Sequence, residues 1–353
     1  MATIGLVLGY ECNIRCRHCL WGDTLENPMR MTTEDACRYV DESTELGNIW
    51  LVGFTGGEAF MFKKVMQETM LYAARTYGLP SCIGSNSSFA TSKAKALKIL
   101  SQYRGIGLRR LQLSVDDYHQ EWVALERVKN AVEAARELEI KSTLVCIVSE
   151  KTRKAKDYLR DMGVEEGPFV EMAEAPCTPV GFAAERIDPG DFKRWDGVPS
   201  DWCSMLRVLN VLPDGSVQMC CGAPFTKDVF RAGNAKREKL VDIVRRAESD
   251  PLFTALSAGF GVRHLIPILE NAGYGHLIKY GQYASSCDAC HDLLGDPNVV
   301  KILRKELEKR ADELFVECFL TRDLPIQLAA EMTAPEGSTL EQQTPVAFQY
   351  TVQ

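Results

Sequence analysis

Apolar and polar positions follow two different rhythms along the chain, and the change falls near residue 185. Before it, short apolar runs alternate with longer stretches in which apolar residues recur every three to four positions. The first kind fits buried strands and the second fits amphipathic helices packed on them. Strands are predicted over 4–8, 49–53, 80–84, 110–115, 142–148 and 169–172, and helices over 33–46, 64–77, 92–102, 122–138 and 151–162. Thr33 followed by Asp35 suits a helix start, and Gly47 suits a stop. Strand and helix in alternation argue for βα units and a parallel sheet. Six units make an α/β fold of the partial (β/α)6 TIM-like barrel kind, where chemistry belongs on the loops after the strands.

After the change, residues 187–201 are rich in Pro, Gly and Asp and read as a connector. Two apolar runs, 205–212 and 216–219, flank Pro213-Asp214-Gly215 and read as a β-hairpin. Helices are predicted over 238–247, 251–256 and 297–315, with Asp250 before Pro251 as one start signal. From Thr333 onward no periodicity remains, as in a loosely held tail. The expected division is a barrel over 1–185, a connector over 186–200, a smaller α+β domain over 201–295, C-terminal helices over 296–332 and a flexible tail over 333–353.

Composition narrows the class. The 353 residues are 46% apolar and 25% charged, enough to bury a large core. A formal net charge of -7 argues against nucleic acid as a partner, because neutralising phosphates needs clustered Lys and Arg. The apolar start from Met1 to Gly9 is too short to cross a bilayer and lacks a basic signal-peptide end. The expectation is a cytoplasmic protein with no membrane partner. In such a reducing compartment thirteen cysteines point to metal or redox chemistry, not to disulfides.

Their spacing carries the chemistry. Cys12, Cys16 and Cys19 form C-x3-C-x2-C just after the first predicted strand, and Cys287 and Cys290 form C-x2-C, with Cys203, Cys220 and Cys221 between. Three thiolates leave one iron of a four-iron cube without a protein ligand, and an open iron can bind a cofactor. A zinc site is the other reading, with His18 able to help complete it. Thr55-Gly56-Gly57-Glu58 follows the second strand. Glycines there let backbone approach a ligand, and the carboxylate can hold an ammonium group. Ser85, Asn86 and Ser87 follow the third strand, and Ser114 and Asp116 the fourth, so polar groups gather at one end of four successive strands. Cys37, Cys82, Cys146, Cys177 and Cys318 stand alone and read as small buried hydrophobes.

On these motifs the chain resembles the radical S-adenosylmethionine (SAM) superfamily. The resemblance implies a [4Fe-4S] cluster on Cys12, Cys16 and Cys19 whose open iron chelates SAM. It implies that Gly56, Gly57 and Glu58 contact the SAM amino group, Ser85, Asn86 and Ser87 its ribose, and Ser114 and Asp116 its tail or sugar. The family usually has an aromatic residue before the third cysteine; here His18 stands there, with Trp21 or Tyr10 as candidate replacement surfaces. The spacing from Cys203 through Gly215 to Cys220 is similar to that of SPASM and twitch extensions. With Cys287 and Cys290 it implies a second, auxiliary [4Fe-4S] cluster of the shorter twitch type, a structural zinc on the same four thiolates being the alternative. Cys221 is left over, either as a catalytic hydrogen-atom donor or as a packing residue or stand-in for Cys220.

The implied activity is reductive cleavage of SAM to a 5′-deoxyadenosyl radical that takes a hydrogen atom from a substrate C–H. A flavodoxin- or ferredoxin-type protein would supply the electron. Two substrates are in view: a ribosomally synthesised peptide, epimerised or cross-linked, or a small sugar or aminocyclitol, dehydrogenated or epimerised in natural-product biosynthesis. A non-catalytic iron–sulfur or zinc protein is disfavoured by the G-G-E segment beside a complete cysteine loop.

Overall fold

Six parallel strands run side by side in chain order: β1 (Thr3–Val7), β2 (Leu51–Thr55), β3 (Ser81–Ser85), β4 (Leu108–Ser114), β5 (Lys141–Val148) and β6 (Val170–Pro176). This computed structural model describes residues 3–199, 208–220, 227–257, 261–278, 281–310 and 312. Between the strands lie α1 (Thr33–Thr44), α2 (Lys63–Tyr77), α3 (Lys93–Gly105), the short α4 (Asp117–Gln120), α5 (Leu125–Glu137) and α6 (Ala155–Met162). Local chemistry sets their ends. The Thr32 and Ser92 side chains accept from the third N–H of α1 and α3, and Gly78 and Gly163 close α2 and α6 in the left-handed conformation. The six units form the expected partial TIM-like barrel.

The boundaries moved for identifiable reasons. Strand β2 starts two residues later than its apolar run, because Trp50 stays 41% exposed under the guanidinium of Arg110. Strand β6 extends to Pro176 because it pairs along the whole of β5, from Ser142 opposite Val170 to Val148 opposite Pro176. Helix α5 begins at Leu125 instead of 122 because the loop after β4 first turns through α4, whose N-terminus Asp116 caps. A capped four-residue turn has no periodicity to reveal it.

Beyond the barrel come α7 (Phe182–Arg186), β7 (Trp195–Asp196), β8 (Val208–Val211), β9 (Ser216–Gln218), β10 (Arg231–Asn234), α8 (Leu240–Glu248), α9 (Pro251–Ser257), α10 (Leu265–Asn271), β11 (Gln282–Tyr283), α11 (Ser286–Leu293) and α12 (Pro297–Glu308). The hairpin is present as β8 and β9. Gly215 takes φ +84 at its turn, and the Asp214 carboxylate accepts from Ser216 N at 2.8 Å. It does not form a sheet of its own. Strand β8 lies parallel against β1, from Thr3 opposite Val208 to Leu6 opposite Val211, giving one nine-stranded sheet in the order β10-β9-β8-β1-β2-β3-β4-β5-β6. Helix α1 adds a second tie: Arg38 donates to Ala235 O at 2.7 Å, and Glu42 accepts from Leu240 N at 2.6 Å.

The main core draws on both halves of the chain, from Ile4 and Phe54 to Leu252, Leu265 and Leu303. A smaller core of Ile14, Cys16, Tyr118, Val145, Ile147 and Cys177 among others lies against the cysteine loop. Among the described residues no single helix is long and apolar enough to cross a membrane. Cys203, Cys221, Cys318, the end of the predicted 297–315 helix and the 333–353 tail lie outside the described residues.

Candidate active site

A cleft of about 680 Å³, open to solvent, lies at the C-terminal ends of the strands. Cys12, Cys16 and Cys19 line it together with Gly56, Gly57, Glu58, Ser85, Asn86, Ser114 and Asp116. Of the residues the sequence placed at the first site, only Ser87 is not on this wall; it is fully buried with φ +65, its N–H donating to Ser85 Oγ at 3.1 Å.

Backbone packing from three sides shapes the cysteine loop. Arg15 donates to Cys12 O at 2.7 Å and Ile14 O at 3.0 Å, curling the loop on itself. From the β2 side, Gly57 N donates to Gly9 O and Glu58 N to Glu11 O, both at 3.0 Å. A Cβ on Gly57 would run into the carbonyl oxygens of Tyr10 and Glu11, so this glycine is required by the loop's own approach as well as by any ligand. From the β6 side, Phe182 N donates to Cys19 O at 2.9 Å, while Gly181, at φ +53, lies where a Cβ would come within 2.6 Å of Cys19 O. Gly181 and Phe182 carried no signal in the sequence, since both lie more than 160 residues from Cys19 and the only cysteine near them, Cys177, belongs to no spaced motif.

Glu58 is buried and fully oriented. Its carboxylate accepts from Ser85 Oγ at 2.8 Å, Asn86 N at 2.8 Å and Phe60 N at 3.2 Å. Burial pushes its carboxyl up, and these three donors pull against that. An ammonium group in the cleft would find an anchored anion. Asn86 bridges to the loop by donating to Asn13 Oδ1 at 2.9 Å, with Cys12 Sγ 3.9 Å away.

Burial pushes the Cys12 thiol up to about 12 and raises Cys19 as well. Buried thiols of this kind ionise when a metal replaces the proton, so the trio suits a positively charged centre. The cleft offers three thiols and no fourth among the described residues, together with a buried carboxylate beside them. That donor set fits an iron–sulfur cube with one corner left for SAM. His18, which could have served a zinc site, has its ring stacked on Tyr118 with centroids 4.7 Å apart, and burial lowers its pKa to about 4. Its Nδ1 is buried without a hydrogen-bond partner. Of the two aromatic replacements, Trp21 lines the cleft and Tyr10 supports it edge-on at 5.0 Å.

Asp116 is on the wall, but its carboxylate is committed inward. Oδ1 accepts from His119 N at 2.9 Å, Oδ2 accepts from His119 Nδ1 at 2.8 Å, and His18 Nε2 lies 3.7 Å away. Burial would raise this carboxyl, yet the two histidines hold it down to about 2. For His119 burial works the other way, and Asp116 and Cys16 together raise its pKa well above the ordinary value. One ligand atom from each of Cys16, His18 and His119 lies within 4.8 Å of the other two. The sequence reading missed His119, although an Asp with His three residues on is the spacing of a helix cap.

The second cysteine group is described in part. Cys220 is buried just past β9, where Asn210 Nδ2 donates to its carbonyl at 3.1 Å. Cys287 and Cys290 stand three residues apart on one face of α11. Ser285 caps that helix and bonds Thr178 at the end of β6 at 3.0 Å, while Asp288 accepts from Ala284 N at 2.9 Å. The fourth thiolate, Cys203, and the spare thiol, Cys221, are outside the described residues.

Residues 6–161 match the family model described as Radical SAM superfamily. The Bacillus subtilis (strain 168) protein YydG, whose name places it in peptide biosynthesis, is 22% identical over 316 residues, spanning 89% of this chain and 98% of its own. Among solved structures, native anSMEcpe with bound AdoMet and Cp18Cys peptide gives a TM-score of 0.51 at 14% identity, covering 86% of this chain and 99% of that one. SuiB of Streptococcus suis, bound to precursor peptide SuiA, gives 0.44 at 12% identity over 72% of this chain and 66% of that one. The likeness to anSMEcpe is one of fold.

Proposed function

We propose that the chain is a radical SAM enzyme with a SPASM/twitch-type extension and that it modifies a ribosomally synthesised peptide, epimerising a Cα centre or forming a cross-link. The observation that supports a peptide over a small sugar is the match to YydG along nearly the full length of both chains. When bound, the cluster and SAM supply a 5′-deoxyadenosyl radical able to take a hydrogen atom from an unactivated C–H.

The chain's own residues hold and orient. Cys12, Cys16 and Cys19 carry the cluster, Glu58 fixes the SAM ammonium, and Ser85, Asn86 and Ser114 offer hydrogen bonds along the wall. Val145, Ile147 and Trp21 add apolar surface that keeps water from the reacting centre. Cys203, Cys220, Cys287 and Cys290 hold the auxiliary cluster in this reading. Cys221, next to Cys220 in the sequence, would return a hydrogen atom to the opposite face of the substrate radical, its S–H bond breaking as the C–H bond forms. An electron from the flavodoxin- or ferredoxin-type donor, with a proton from solvent, would restore the thiol.

Two experiments test this. Replacing Cys12, Cys16 and Cys19 with Ala should abolish 5′-deoxyadenosine formation in anaerobically reconstituted protein, and persistent formation would overturn the SAM chemistry. Turnover of the peptide in deuterated water should place deuterium at one Cα, and Cys221→Ala should leave SAM cleavage intact while blocking the epimer. A product without deuterium removes the epimerase reading. Turnover of a sugar with no peptide turned over removes the peptide reading altogether.

A further inference from the structure

Asp116 and His119 form a hydrogen-bonded pair on the cleft wall, beside the cluster ligand Cys16. The Asp116 side chain is 1% exposed and that of His119 15%. Both carboxylate oxygens are taken up, Oδ1 by the His119 N–H of the helix cap and Oδ2 by His119 Nδ1, with Ile147 N a further 3.4 Å neighbour of Oδ2. One residue thus bonds the carboxylate through both backbone and ring, which fixes the ring's direction. With Nδ1 committed to Asp116, the other ring nitrogen is left for Cys16, whose Sγ lies within 4.8 Å of a His119 ring nitrogen. The His18 ring, nearly perpendicular to that of His119 with centroids 4.8 Å apart, and the stack of His18 on Tyr118 close the ring in.

We propose that His119, oriented by Asp116, is a positioning residue that donates a hydrogen bond to the Cys16 sulfur of the SAM-binding cluster and raises that cluster's reduction potential. The inference rests on the radical SAM reading of Cys12, Cys16 and Cys19. A carboxylate at one ring nitrogen and a metal-bound thiolate at the other call for N–H at both, which an imidazolium provides. A donor at a ligand sulfur withdraws charge from the cluster and favours the reduced state, a known lever on iron–sulfur potentials. The carboxylate behind the histidine resembles the outer-shell arrangement that orients histidines at metal sites, here turned toward a thiolate. It also accounts for an ionised carboxylate buried with no lysine or arginine partner among the described residues.

The test is a redox titration of the reconstituted holoenzyme followed by the electron paramagnetic resonance signal that changes on adding SAM, which separates this cluster from an auxiliary one. His119→Phe should move the midpoint to more negative values while the signal still responds to SAM. His119→Gln, which keeps a donor, should recover part of the shift. Asp116→Asn, which leaves the ring in place but loosens its orientation, should shift the midpoint the same way by less, and it stands in if the Phe variant fails to load a cluster. A midpoint unchanged in both His119→Phe and Asp116→Asn, or equal shifts for Phe and Gln, overturns the proposal. A wild-type signal indifferent to SAM overturns the parent reading instead, and this one with it.

Discussion

The two glycines of the G-G-E segment show how one residue can answer to two constraints. Their spacing suggests room for a ligand, and the structure adds that Gly57 abuts the carbonyls of Tyr10 and Glu11 in the cysteine loop. Gly57→Ala should therefore displace the loop even without a ligand, at about 1–3 kcal/mol, the range for forcing a methyl into packed structure. Chemical denaturation and the iron-to-protein ratio after reconstitution check this; unchanged values in both would show that the loop moves aside freely. Gly181→Ala should behave alike, because its left-handed backbone and the nearby Cys19 carbonyl both disfavour a side chain. The cysteine spacings were legible because a contiguous loop encodes them. Gly181 and His119 were not, since their significance lies in contacts across the barrel mouth.

At the scale of elements, α4 is one of several pieces that periodicity did not reveal, and it organises one side of the cleft. Its cap, Asp116, holds His119, and its first residue, Asp117, holds the start of α6. Asp117 accepts from Arg153 N at 2.9 Å, Arg153 Nε at 2.7 Å and Tyr158 Oη at 2.7 Å. Burial would raise this carboxyl, but these donors hold it below its ordinary value of 3.8. A carboxylate depressed in the folded state contributes stability fully above the unfolded pKa and loses it as pH falls through the lower folded value. Asp117→Asn should cost about 1–2 kcal/mol at neutral pH, water weakening bonds to a partly exposed charge. Denaturation of wild type and variant across pH should show the gap shrinking only below about pH 4. A gap constant into strong acid would mean that Asp117's charge contributes nothing.

For the whole molecule, the decisive feature is the shared sheet. Because β8 pairs with β1, the segment carrying Cys220 is registered against the same strand that leads into Cys12. Gly5 makes that pairing possible, since a Cβ there would strike Asn210 Oδ1, and Asn210 in turn holds the Cys220 carbonyl. Asn210→Ala should lower iron content toward that of a single cluster while 5′-deoxyadenosine formation persists. Full iron content in the variant would show that the hydrogen bond does not position the ligand. By itself the sequence determined the βα rhythm, the hairpin turn and the grouping of polar residues after each strand, because hydrophobic period, turn chemistry and loop motifs are local properties of a chain. Only the tertiary structure decided that the hairpin extends the barrel sheet, that Gly181 braces Cys19 and that Asp116 faces a histidine. Those follow from strand pairing and packing between residues far apart in sequence, where small differences in contact geometry choose among arrangements that the local pattern leaves equally possible.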